Sequence, residues 1–327
     1  MSDIFKGLTG GGLAGLTAWV LPSGFILGLF WLLVYPEMRA HFDRFDHLSA
    51  THKLFVWVFA AVFLGVFLQA LSTPMYRLLE GYSWPRACRE RSVAKQRAKK
   101  SRLEGNIGGT GWGKGLQEEQ IARFPDFNEV APTRLGNALR ALETYGATRF
   151  ELDSQVMWSE LNAVVPKSLQ TELERSRAGM DFFVALFYLS AACGLVTIGV
   201  AFDGRIKPLL LLIALVAFLS TIVWYEMAVI STSYYANTVQ ALVNLGRVKL
   251  ANEMGLKMPG RIDQERRMWW LVKSLIYYND PNSLEELNLY RQRPPVLSPT
   301  TPEAGNRAEP APESQEGEEP DEAEVDQ

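Results

Sequence analysis

Four long apolar runs interrupt an otherwise polar chain, and they fall into two close pairs. The first pair is Leu13–Tyr35 with Leu54–Leu71, the second Phe182–Phe202 with Leu209–Ile230. Each run approaches or exceeds the roughly 20 residues that a helix needs to cross about 30 Å of hydrocarbon. Glu226 is the first charged residue to interrupt any of them. The pattern predicts an all-α membrane protein: four transmembrane helices as two hairpins, a helical cytoplasmic domain and a disordered acidic C-terminal tail. Pro22 within the first run predicts a kink or a helix start there. Gly11/Gly15 and Gly24/Gly28 have the small-xxx-small spacing that lets helix backbones approach, and ordinary packing between spans accounts for it.

Loop charge orients the hairpins. Between Arg77 and Arg102 lie nine Lys or Arg residues, directly after the second run. Arg247, Lys249, Lys257, Arg261, Arg266 and Arg267 follow the fourth. The positive-inside effect puts both segments, and by parity both termini, in the cytoplasm. Pro36–Lys53 and Asp203–Lys207 then lie outside. Arg39, Arg44 and Lys53 in the first outer loop run against this assignment, next to Glu37, Asp43 and Asp46. With no cleavage site in view, the first run predicts a retained span rather than a signal peptide. The expected location is a bacterial inner membrane.

The intervening pieces read as helices. In order the chain divides into a cytoplasmic N-terminus (1–12), a first hairpin (13–72) and a basic segment with a Gly-rich linker (73–115). A cytoplasmic helical domain (116–180), a second hairpin (181–230), further cytoplasmic helices (231–293) and the tail (294–327) complete it. Pro132-Thr133 predicts a helix start, with Gly146 placed to end that helix. Asp153 reads as an N-cap flanked by a Leu152/Met157 staple, and Pro166 ends the helix that follows. From Lys167 the pattern runs unbroken to Ala201, a rod of roughly 50 Å at 1.5 Å per residue. Tyr235–Met254 continues the fourth run as a helix stopped by Gly255. In Asp263–Tyr278, Met268, Leu271, Val272 and Leu275 share one face, which predicts packing on neighbouring helices; an interfacial helix is the alternative. Ser283-x-x-Glu286 reads as a capping box for a last short helix.

Composition changes the picture in two places. The net charge of −3 hides a split, because from Thr301 onward ten acids stand against one base. The body is therefore net positive, which beside a membrane favours anionic headgroups. Arg86, Arg89, Arg91, Lys95, Arg97, Lys99, Lys100 and Arg102 form the expected headgroup-contacting helix. No aromatic interleaving or known reading module points to nucleic acid. The two cysteines, Cys88 and Cys193, lie in different environments, which predicts no disulfide. Mean hydropathy is near zero because much of the chain lies outside the apolar runs.

Candidate chemistry is thin. All three histidines fall in one outer loop, where Asp43 and His47 share i, i+4 spacing as a weak metal candidate. Gly108-x-x-x-x-Gly113-Lys114-Gly115 resembles a phosphate-binding loop but lacks the hydroxyl residue and a preceding strand, so it reads as linker. Glu226 is a possible intramembrane ion site, with an interfacial carboxylate as the plainer reading. No catalytic constellation can be assembled in one compartment, and no cofactor is implied.

Pro132-Thr133-Arg134-Leu135-Gly136-Asn137, with Tyr145-Gly146, Leu152-Asp153 and Trp158, resembles a pattern in an uncharacterised family of bacterial multi-pass membrane proteins. Tyr235, Val239, Leu245, Arg247, Leu256 and Pro259 extend the resemblance. It implies the architecture and brings no activity or catalytic residue with it. The expectation is a non-enzymatic scaffold that binds an unidentified cytoplasmic protein, as a homo-oligomer. The alternative is an oligomeric ion channel gated by the cytoplasmic domain.

Overall fold

In the computed structural model, residues 12–41, 47–105, 112–203, 207–278 and 280–291 are described. Every regular element among them is helical. In chain order these are α1 (Gly12–Leu33), α2 (Ala50–Ala70), α3 (Ser72–Glu80), α4 (Arg86–Gly105), α5 (Trp112–Ala122) and α6 (Arg134–Glu143). They continue as α7 (Tyr145–Phe150), α8 (Trp158–Val164), α9 (Lys167–Ala201), α10 (Pro208–Glu253), α11 (Ile262–Tyr278) and α12 (Pro281–Leu287).

Three helices, α2, α9 and α10, are long and apolar enough to cross a membrane. Leu54, Phe55, Phe59, Phe63 and Phe67 of α2 point outward, as do Leu212, Leu215, Leu219 and Ile222 of α10. A contiguous outward apolar surface of this kind has no place in water, and these helices mark a membrane protein. The first of the four expected spans falls short of that standard, because its apolar stretch among the described side chains is Thr17–Leu33. Pro22 lies inside α1 and does not start it. Next to it, the Ser23 hydroxyl donates to the Trp19 carbonyl at 2.8 Å.

α9 is the hub, packing along both α1 and α10, while α2 packs on α1. It runs its 35 residues without a break at Gly179, as the sequence predicts. Pro166 stands just before its first turn, and no helix-breaking residue follows. α10 continues for 46 residues from Pro208 at its first turn to the Gly255 stop. Gly24 and Gly28 face Trp57 of α2, so that spacing serves packing within the chain. At the far end of the apolar bundle, Val34, Val200, Ala201 and Leu210 form a small separate core. There Lys207 Nζ meets Glu37 Oε2 at 3.0 Å and donates to the Glu37 carbonyl at 3.2 Å, tying the segment after α1 to the one before α10.

The larger core runs without interruption from Trp19 and Leu68 through Met75, Leu79 and Leu135 to Leu242, Trp269 and Leu271. The face of α11 named from the sequence is buried on these helices, which answers the choice between packing and lying on the membrane. Gly255, at φ 70°, ends α10 with the paired bonds Leu256 N–H to Ala251 O (2.8 Å) and Gly255 N–H to Asn252 O (3.0 Å).

Several boundaries differ from expectation. α6 ends at Glu143, and Gly146 lies inside α7, where a Cβ would stand 2.6 Å from the Leu152 carbonyl. The left-handed stop falls to Glu151, at φ 59°. The Asp153 carboxylate caps a turn, accepting from the N–H groups of Gln155 and Val156, and α8 begins only at Trp158. The N-cap of α12 is Asp280, which accepts from Asn282 N–H, Ser283 N–H and the Ser283 hydroxyl. Glu286 instead grips Arg267 with both oxygens, at 2.8 and 2.6 Å. A free carboxylate before Pro281 outcompetes a serine hydroxyl further along for the same donors. Gly113, Lys114 and Gly115 belong to α5, which removes the phosphate-loop resemblance. Residues 106–111 of that linker, Asp43 and the acidic tail lie outside the described residues.

Candidate functional site

Where the apolar bundle ends, the Pro132–Asn137 motif docks the outer helices onto it. Thr133 caps α6 by accepting from Gly136 N–H at 2.9 Å. Asn137 is buried and its Oδ1 accepts from Ala131 N–H at 2.7 Å, which folds the preceding segment back onto the helix. Leu135 enters the core fully buried, and its N–H, which has no helical acceptor at this position, donates to the Tyr225 hydroxyl at 3.3 Å. Arg134 reaches the neighbouring residue of α10, pairing with Glu226 at 2.5 Å. On the other side Pro132 abuts Gly81, the left-handed residue that closes α3. One six-residue run therefore joins α3, α6 and α10.

This placement recasts Glu226. Read from the sequence as a possible ion site, it is the acceptor of an ion pair with a residue 92 positions earlier, at the end of the apolar segment. Both partners are about two-fifths exposed, so the pair contributes modestly. A double-mutant cycle of Arg134→Ala and Glu226→Ala, read by thermal unfolding in detergent, should give a coupling of about 0.2–1 kcal/mol. A coupling of zero would remove the pair as a joint.

The basic helix α4 is only partly available to lipid. Arg86, Arg89, Arg91, Lys95 and Arg102 are exposed, Arg86 in an i, i+4 pair with Glu90 at 2.8 Å. Lys100 is buried: its ammonium donates to the Pro125 carbonyl at 2.7 Å and faces Glu104 at 3.6 Å. It anchors α4 to the chain instead of touching headgroups. Arg97 lies over the Phe127 ring, 5.3 Å from its centre. Burial and the nearby Arg134 guanidinium lower the Lys99 ammonium below the usual lysine range, with Glu226 opposing. The bases beyond the apolar part of α10 also serve packing. Arg247 pairs with Glu265 and lies 4.2 Å over Phe150, while Arg266 reaches Glu151 at 2.8 Å.

Beside the motif lies a polar group that sequence reading missed. Asp181, at the start of the apolar part of α9, is buried and accepts from the Tyr76 hydroxyl at 2.6 Å, with Arg177 at 4.0 Å. Burial, and after it the Asp181 carboxylate, raises the Tyr76 phenol well above its usual range. The signal was the charge before Phe182, which marks the edge of an apolar run in any protein. Tyr76 lies 105 residues away and gives no local hint.

Glu80 at the end of α3 is pushed up to about 6, chiefly by burial and then by Glu143, against Arg77 and Arg140. A carboxyl raised in the folded state binds its proton more tightly there than in the unfolded chain. Stability therefore falls as pH rises from about 4.5 to about 6, and the loss persists above it. Glu80→Gln should flatten that part of the stability–pH curve, followed by unfolding in detergent from pH 4 to 8. An unchanged slope would assign it elsewhere.

Of the histidine loop, the side chains of His47 and His52 are described, and the Ser49 hydroxyl lies 2.6 Å from His52 Nδ1. Among the described residues no group of three or more His, Cys, Asp or Glu is placed to hold a metal ion. Cys88 and Cys193 are both free thiols. Comparison with family models, with curated proteins and with solved structures finds no match.

Proposed function

We propose that this chain is a non-enzymatic polytopic protein of a bacterial inner membrane that presents a rigid helical domain to cytoplasmic partners. In this reading α1 joins α2, α9 and α10 as a fourth span, giving two hairpins with both termini in the cytoplasm. The observation that carries the reading is the single core running from the apolar helices into α6, α8 and α11. A domain built into its anchor in this way suits fixed presentation. The exposed bases of α4 and those beyond the apolar part of α10 support the orientation and contact with anionic headgroups. A homo-oligomer in which the outward faces of α2 and α10 meet is part of the proposal.

Affinity capture of the full chain from membranes, together with conductance of the reconstituted protein, tests it. A stoichiometric cytoplasmic protein partner with no conductance is the expected result. Conductance altered by Glu226→Gln would replace the scaffold with the gated channel. The Arg134–Glu226 pair favours the scaffold, since it occupies the carboxylate that an ion path would need.

A further inference from the structure

A polar cavity of about 610 Å³ opens where α1, α3 and α9 leave the apolar bundle. Its volume suits a small polar molecule or a lipid headgroup. Arg77 and Arg177 line it, with Glu80, Glu174 and Asp181 as the acids. Asp181 is occupied by Tyr76 and faces Arg177. Among the described residues Arg77, Glu80 and Glu174 close no ion pair within 4.0 Å, although they share one cavity. Charges of both signs, held apart and facing one space, fit a ligand that carries both.

The surroundings say where that ligand sits. Trp19 lines the cavity, and the next residue, Val20, begins an apolar groove of about 530 Å³ between α1 and α2. Phe25, Gly28, Trp57 and Val62 continue that groove along the same pair of helices that supplies Trp19 and Gln69 to the cavity. A polar chamber at the end of the apolar segments, with a dry furrow beside it, matches a headgroup with its acyl chain.

From this arrangement we propose that the cavity binds the headgroup of a zwitterionic aminophospholipid of the phosphoethanolamine class. Arg77 and Arg177 take the phosphate through charge-assisted hydrogen bonds. Glu80 and Glu174 take the primary ammonium, whose three N–H donors match carboxylate acceptors. A net anionic headgroup meets three carboxylates against two guanidinium groups and is disfavoured. A choline headgroup offers no N–H to the acids, and quaternary ammonium groups favour aromatic cages. A metal ion is disfavoured because the three acids are not placed to hold one.

The test uses the purified full-length chain, stripped of lipid in detergent and titrated with short-chain lipids under native mass spectrometry. Phosphatidylethanolamine should be retained at least about tenfold more tightly than phosphatidylcholine or phosphatidylglycerol. Glu174→Gln and Arg77→Gln, both at exposed positions that leave the core intact, should each weaken its retention about tenfold. Glu285→Gln, at an exposed position of α12, should leave retention unchanged. Equal retention of the choline lipid, preference for the glycerol lipid, or insensitivity to Glu174→Gln would overturn the site. Displacement by soluble glycerophosphoethanolamine at equal concentration would overturn the lipid as its occupant. None of these readouts depends on whether the domain recruits a protein partner.

Discussion

Gly81→Ala lowers stability by about 2–5 kcal/mol, the larger of two losses expected from left-handed glycines. The left-handed backbone at φ 87° costs about 1–2 kcal/mol for any residue with a Cβ. The added methyl would also stand 2.8 Å from Pro132 Cβ, and overpacking of that kind costs about 1–3 kcal/mol more. Gly255 provides the control. It has φ 70° as well, but nothing lies within 4 Å of where its Cβ would be. Gly255→Ala should therefore cost only the backbone share, about 1–2 kcal/mol. Thermal unfolding of both variants in the same detergent should place Gly81→Ala clearly lower. Equal shifts would mean that the contact between α3 and the Pro132 motif yields without cost.

Trp269→Ala should cost about 3–5 kcal/mol, while its neighbour Trp270→Ala costs less than about 1 kcal/mol. Trp269 is 1% exposed and sits in the continuous core, whereas Trp270 is 40% exposed with Arg267 stacked 4.3 Å over its ring. The contrast also bears on the old ambiguity of α11. If that helix lay on the lipid surface, its exposed tryptophan would be the one that mattered, and a larger loss of stability for Trp270→Ala than for Trp269→Ala would reverse the assignment.

What was legible in the sequence follows the range over which each signal acts. The 35-residue span of α9 was readable because Pro166 opens it and nothing along it breaks a helix. The Thr133 cap was readable because its partner, Gly136, is three residues away. Glu226 could be found but not understood, since Arg134 lies 92 residues earlier and no local pattern joins them. Asp181 was missed for the same reason. Gly146 and Ser283 were misread for different reasons: Gly146 serves the close approach of the Leu152 carbonyl inside α7, and at α12 the Asp280 carboxylate takes the cap. The eight-base helix was read as one surface, yet the burial of Lys100 depends on Pro125, which composition cannot place.

Two helices, α9 and α10, pass from the apolar region into the outer domain without a break. In a helix each residue adds about 100° of rotation and 1.5 Å of rise. The lengths of these segments therefore act as a phase setting for everything beyond them. One residue gained or lost near Gly179 would turn the outer half of α9 by more than a quarter circle relative to α10 and the motif. Seven residues, close to two full turns, would nearly restore the facing. In such a chain insertions are constrained by angle before they are constrained by chemistry, and tolerated length changes should come in whole turns.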